Sequence, residues 1–131
     1  MSASITTLRT DDDVMKTAPQ LIAETKARIT EVTVQQVMEM QKSGRPATLL
    51  DVRDLPEVNL GKIPRALHIS RGNLETKVEA VIPRDAHLVI YCASGNRSAF
   101  AADTLTQMGY GNVASMAGGF RGWVEAGGDV E

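Results

Sequence analysis

The sequence predicts an α/β fold in which a central, mostly parallel sheet of about five strands carries helices on both faces. Three observations point there. Apolar runs of strand length alternate along the chain with helical patterns, and alternating order of this kind builds parallel sheets. The runs Ala47–Val52 and His87–Tyr91 are nearly continuously apolar, as expected of strands covered on both faces. The length of 131 residues and 43% hydrophobic content suit one domain with a single sheet at its centre, and connection rules then place the helices on its two sides.

Met1 to Asp12 has no apolar periodicity and is expected to fray, with Asp11, Asp12 or Asp13 available to cap a helix after it. Val14 to Lys26 has a helical pattern interrupted at Pro19. The proline is best tolerated where Thr17 caps a new helix and Pro19 falls in its first turn. Residues 1–28 therefore read as an N-terminal extension, and residues 29–131 as the main domain. The extension's helix is expected to pack on its own domain, with covering the domain or mediating dimerisation as the alternatives.

Ile29 to Val32 is a short edge strand, and Thr33 caps a helix that places Val34, Val37, Met38 and Gln41 on one face and ends at Gly44. Ala47–Val52 is a buried strand with the charges of Asp51 and Arg53 at its C-terminal end. Ala66–Ser70 is the third strand. Asn73–Val81 is a helix with Leu74, Val78 and Val81 on one stripe, stopped by Pro83, and Pro83-Arg84-Asp85 is a turn. Strand His87–Tyr91 comes next, then a helix with Ala101, Leu105 and Met108 inward and Gly109 at its end. Val113–Met116 is the last strand, and Gly118-Gly119 turns into a short helix whose Phe120 and Trp123 read as packing residues.

The chemistry concentrates in Cys92-Ala93-Ser94-Gly95-Asn96-Arg97-Ser98, between the His87–Tyr91 strand and the next helix. A strand feeding a short loop into a helix aims N–H groups and the positive end of the helix dipole at one spot, which favours anions. Gly95 and Asn96 tolerate positive φ, so the loop can curl into a nest of donors around the Cys92 sulfur, and Arg97 adds a cation. Such surroundings pull a thiol from about 8.5 into the range of roughly 3.5–7.5, making the thiolate available as a nucleophile. The alternative for Cys92 is a small buried hydrophobe at a strand end.

This loop resembles the active-site loop of the rhodanese family of sulfurtransferases, and other stretches match in order. Leu49-Leu50-Asp51-Val52-Arg53 with Glu57 is similar to the family's first signature, Gly61-Lys62-Ile63-Pro64-Arg65-Ala66 to its second, and Ala117-Gly118-Gly119-Phe120 with Trp123 to its C-terminal one. The resemblance covers the chain from about Ile29 onward. It implies a rhodanese-like domain over residues 29–131 in which Cys92 carries sulfur as a persulfide, with Ala93 to Ser98 as the substrate-binding loop. Where many members have Gly-His-Ile-Pro-Gly-Ala, this chain has Lys62 and Arg65; Val58 replaces an aromatic that often follows the glutamate, and Ala93 stands where some members carry Arg. Asp51, Arg53 and Glu57 read as supporting residues, a salt-bridge and hydrogen-bond network holding loops together.

The remaining composition limits other chemistry. A net charge of −2, from 14 basic and 16 acidic residues, gives no global field for nucleic acid or anionic lipid. Aromatic residues are 4% of the chain with no interleaved basic stripe, so no platform for stacking bases is expected. His68 and His87 lack metal-ligand spacing with Cys92 or a carboxylate pair, so neither metal nor cofactor is expected. His87 begins the strand that delivers Cys92, and five extended residues span roughly 16 Å, too far for a cysteine–histidine protease pair. The single cysteine and the absence of a signal-like start predict a cytoplasmic protein that does not span a membrane.

The expected function is transfer of a sulfane sulfur from thiosulfate or a similar small anionic donor, through Cys92, to cyanide or an external thiol. A redox or sulfur-carrier protein could supply that thiol. The alternative is a non-catalytic rhodanese-like binding or sensing module. Lys62, Arg65, Arg97 and Arg121 are expected to form a local positive rim that attracts the donor.

Overall fold

The computed structural model describes residues 15–131. Five strands, β1 (Glu31–Val32), β2 (Thr48–Asp51), β3 (Leu67–His68), β4 (Leu88–Tyr91) and β5 (Val113–Met116), form one parallel sheet in the order β1-β5-β4-β2-β3. β4 lies in the middle, so the strand that delivers Cys92 has neighbours on both sides. Its residues alternate between two cores. Leu88 and Ile90 face the helices α4 (Leu74–Val81) and α5 (Asn96–Gln107), where they meet Leu74, Val78, Ala101, Ala102 and Leu105. Val89 and Tyr91 face α2 (Val34–Lys42) and α6 (Gly119–Glu125), among Val34, Val37 and Trp123. Successive strand residues point to opposite faces, so a strand buried twice over must be apolar throughout.

Helix α1 (Ala18–Arg28) starts where Thr17 caps it. The Gln20 N–H donates to Thr17 Oγ1 at 3.3 Å and the Thr17 N–H to Gln20 Oε1 at 2.7 Å, a reciprocal box with Pro19 in the first turn. Thr33 and Gln36 repeat the arrangement at the start of α2. Helix α1 lies against α5, with Thr25 buried and Arg28 paired to Asp103 at 3.0 Å. The expectations for residues 1–14 lie outside the described residues.

One core residue is reassigned. Val81, expected on the inner stripe, is 50% exposed, while Ile82 is 2% exposed. Helix α4 ends at Val81, and Ile82 leaves it in extended backbone that swings the larger side chain inward. The short helix α3 (Leu55–Asn59) follows β2, and its loop, the segment after β3 and the Cys92 loop all leave the carboxyl ends of adjacent parallel strands. In open α/β sheets ligands bind at that edge.

Candidate active site

The Cys92 loop is shaped from two sides. Gly95 adopts φ +112° as the N-cap of α5, which turns the chain so that its own N–H meets the Cys92 Sγ at 3.1 Å. The Ser98 N–H, in the first turn of α5, lies 3.4 Å from the same sulfur. The Ser98 hydroxyl is 3.5 Å from Sγ and 2.8 Å from the Ser115 hydroxyl of β5, and both serines are fully buried. Ser94 and Asn96 are exposed on the rim and Ala93 is half-buried.

Behind the loop, Gly119 at φ +58° lets α6 approach so closely that an added Cβ would stand 2.5 Å from the Cys92 carbonyl oxygen and 2.6 Å from that of Ala93. The Phe120 N–H donates to the Cys92 carbonyl at 2.7 Å, and the Arg121 N–H to that of Ala93 at 3.1 Å. With those carbonyls held outward against α6, the N–H groups of Gly95 and Ser98 are left to the sulfur.

Cys92 is 1% exposed, and burial pushes its thiol up. The Ser98 hydroxyl and the backbone N–H groups of Ser98, Gly95 and Ser94 outweigh it and hold the thiol below its ordinary value. The reactive species is the thiolate. Alkylation of Cys92 by iodoacetamide should therefore rise with pH through a midpoint below the value of about 8.5 for a free thiol. A midpoint at or above that of glutathione, titrated in the same buffers, would remove activation by the loop.

Arg97 does not stand free. Its two terminal nitrogens donate to the Glu57 carboxylate, Nη1 to Oε2 at 2.8 Å and Nη2 to Oε1 at 2.9 Å. Glu57 also accepts the Asp54 N–H at 2.9 Å in the first turn of α3. The Arg97 hydrogen bonds, opposed by partial burial and helped by the Asp54 N–H, hold the Glu57 carboxyl down at about 2.

Asp51 and Arg53 make a separate pair. Asp51 is fully buried and Arg53 4% exposed, with Arg53 Nη2 donating to Asp51 Oδ2 at 2.7 Å and Nε to Oδ1 at 3.0 Å. Arg53 Nη2 also donates to the Gly61 carbonyl at 2.7 Å, and the guanidinium carbon lies 4.3 Å from the Phe120 ring centre. The Tyr91 hydroxyl, on the same face of the sheet, accepts the Ile63 N–H at 3.2 Å. These contacts tie the 61–63 segment to the sheet beneath α6. Thus the expected network of three residues divides: Glu57 belongs to Arg97, and Asp51 to Arg53.

The expected positive rim is also altered. Lys62 pairs with Glu131 at 2.7 Å, so two of its four cations already carry carboxylates. His68 donates from Nε2 to the Arg53 carbonyl at 2.7 Å and serves the loop after β2. Among the described residues, no group of three or more His, Cys, Asp or Glu could hold a metal ion.

The sequence patterns mark none of Tyr91, Ser115 and Gly119 as a site residue. A serine inside the apolar strand Val113–Met116 was the visible signal for Ser115, because a buried hydroxyl needs a partner.

Fold and loop together define a small α/β domain with a cysteine nest at the carboxyl edge of a parallel sheet. The chain belongs to the rhodanese-like domain family, whose model matches residues 33–126. A sulfurtransferase of Allochromatium vinosum is 39% identical over 79 residues, covering 60% of this chain and 73% of that protein. The thiosulfate sulfurtransferase GlpE of Haemophilus influenzae is 34% identical over 96 residues, covering 73% of this chain and 89% of GlpE. A solved structure from Rhodopseudomonas palustris CGA009, described as a protein of unknown function and possible tyrosine phosphatase, superposes with a TM-score of 0.81 at 32% identity, covering 94% of this chain and 100% of that one. The family thus includes named sulfurtransferases. Among the described residues no helix is long and apolar enough to cross a membrane.

Proposed function

We propose that this chain is a sulfurtransferase in which Cys92 takes a sulfane sulfur from thiosulfate or a similar anionic donor and passes it to an external thiol or to cyanide. The observation that carries the reading is the Sγ of the only cysteine, held by the Gly95 and Ser98 N–H groups, which with the Ser98 hydroxyl draw its thiol below the ordinary value. The Cys92 thiolate attacks the outer sulfur of thiosulfate, a new S–S bond forms, and the old one breaks with its electron pair leaving on sulfite. The terminal sulfur of the persulfide inherits the negative charge, which the loop N–H groups stabilise. Attack by an acceptor thiolate or cyanide on that terminal sulfur restores the Cys92 thiolate.

Because the chain has one cysteine, no internal thiol can resolve the persulfide, and discharge requires an acceptor from outside. A redox or sulfur-carrier protein with an exposed thiol would serve. A reducing cytoplasm suits this chemistry. We assign the activity to residues 29–131, supported by the family match that begins at Thr33, and leave residues 1–28 as an extension.

Cysteine phosphatases also place a thiolate in an N–H loop closed by an arginine, so the test must separate sulfur from phosphorus. Four residues lie between Cys92 and Arg97, one fewer than in the phosphatase signature, which makes a tighter ring suited to a single sulfur atom. Intact-mass spectrometry after incubation with thiosulfate should show one added sulfur, stable in buffer and lost on adding cyanide or a thiol. The same preparation should release negligible phosphate from p-nitrophenyl phosphate. Phosphate release that depends on Cys92, without any added sulfur, would overturn the assignment. Absence of both reactions would favour the non-catalytic module.

A further inference from the structure

We propose that Glu57 sets the charge of the sulfur donor, an inference that rests on the sulfur-transfer reading above: by occupying Arg97 it favours monoanionic over dianionic donors. The loop from Cys92 to Ser98 contains one cation, Arg97, and both of its terminal nitrogens are spent on the Glu57 carboxylate. That carboxylate cannot turn away cheaply, because its Oε2 also accepts the Asp54 N–H at 2.9 Å. The pair is only partly covered, with side chains 37% and 34% exposed, so it is reached from solvent while the sulfur is buried.

Two cations beyond the loop are compensated as well, while Arg65 and Arg121 make no ion pair among the described residues. Arg53 is buried against Asp51, and Arg71, just after β3, pairs with Glu75 at 3.1 Å. The site therefore offers oriented N–H dipoles, enough for the one negative charge that moves with the sulfur, without a free loop cation for a second. A dianion brought there gives up more hydration than a monoanion, and the Arg97 charge that would offset this is already neutralised by Glu57. The same short helix exposes apolar surface beside Glu57: Leu55 is 55% exposed and Leu60, its C-cap, 91%. A singly charged donor with an organic body fits both features.

Thiosulfate and benzenethiosulfonate make a matched pair, one a dianion and the other a monoanion with an apolar ring. In each, the Cys92 thiolate takes the terminal sulfur and the S–S bond breaks with its electrons on the leaving group, sulfite or benzenesulfinate. The readout is the ratio of kcat/KM for thiosulfate to that for benzenethiosulfonate, measured on one preparation. Changes in Cys92 nucleophilicity or in the folded fraction cancel from it. Glu57→Gln keeps an oxygen for the Asp54 N–H and removes the charge. It should raise the ratio about fivefold, since a second negative charge gains from the change as much again as the first. Arg97→Gln, which leaves Glu57 uncompensated, should lower the ratio by a similar factor. Both shifts should shrink in high salt. A merely structural role would scale both donors together, so an unchanged ratio in a variant that still transfers sulfur overturns the role of Glu57 and leaves the sulfurtransferase reading standing. Transfer from neither donor by the unaltered protein overturns both.

Discussion

Cys92→Ser abolishes sulfur transfer while the protein stays folded. The loss should be complete, to the rate seen without protein, because the chain contains no second cysteine to substitute. A serine hydroxyl in the same nest keeps its proton at neutral pH and has no general base beside it to remove that proton. The N–H groups of Gly95 and Ser98, which stabilise a thiolate at 3.1 and 3.4 Å, then meet a neutral oxygen. The fold should survive because the new hydroxyl is buried among partners, the Ser98 hydroxyl above all, and a satisfied buried hydroxyl costs about 1 kcal/mol or less. Circular dichroism and thermal unfolding would check the fold, and cyanide-dependent thiocyanate formation the activity. Measurable transfer by the purified variant would place the sulfur on another atom and end the role assigned to Cys92.

Much of this site is legible in the sequence because its parts are local along the chain. Strand, loop and helix around Cys92 succeed one another within about twenty residues, and the left-handed turn falls on Gly95, the residue type that accepts it. The Thr17 and Thr33 caps are local too, each closed by a glutamine three residues on. Asp51 and Arg53 lie two apart, where strand geometry puts side chains on one face. The features that escaped are the ones made between distant segments. Nothing within α3 marks Glu57 as the partner of Arg97, forty residues away, rather than of the nearer Arg53. Gly119 reads as a turn glycine, and only the docking of α6 on the Cys92 carbonyl shows why a side chain is barred there. Likewise Leu74, Val78, Val81 and Ile82 all fit one helical stripe, and the end of α4 decides which of the last two faces the core.

Replacing Asp51 by alanine should destabilise the protein more than any surface substitution. Arg53 is 4% exposed, and Asp51 takes hydrogen bonds from its Nε and Nη2 and from its backbone N–H at 3.0 Å. Without Asp51 the guanidinium keeps the Gly61 carbonyl and the faces of Phe120 and Tyr91, none of which carries a negative charge. Removing one member of a buried pair costs about 3–5 kcal/mol, because the other charge is left dehydrated and uncompensated. That is a large share of the roughly 5–15 kcal/mol that holds a typical domain together. The damage should reach the active edge, since Arg53 ties the Gly61 segment to the sheet and underlies Phe120, whose N–H holds the Cys92 carbonyl. The double variant Asp51→Leu with Arg53→Met tests the cause. Apolar residues of similar size often replace a buried ion pair without net loss, so the double variant should recover most of the stability that Asp51→Ala forfeits. Urea unfolding of the unaltered protein, both single variants and the double would give the coupling between the two positions. If Asp51→Ala costs less than about 1 kcal/mol, the range of an exposed pair, the burial of this pair does not govern the stability of the fold.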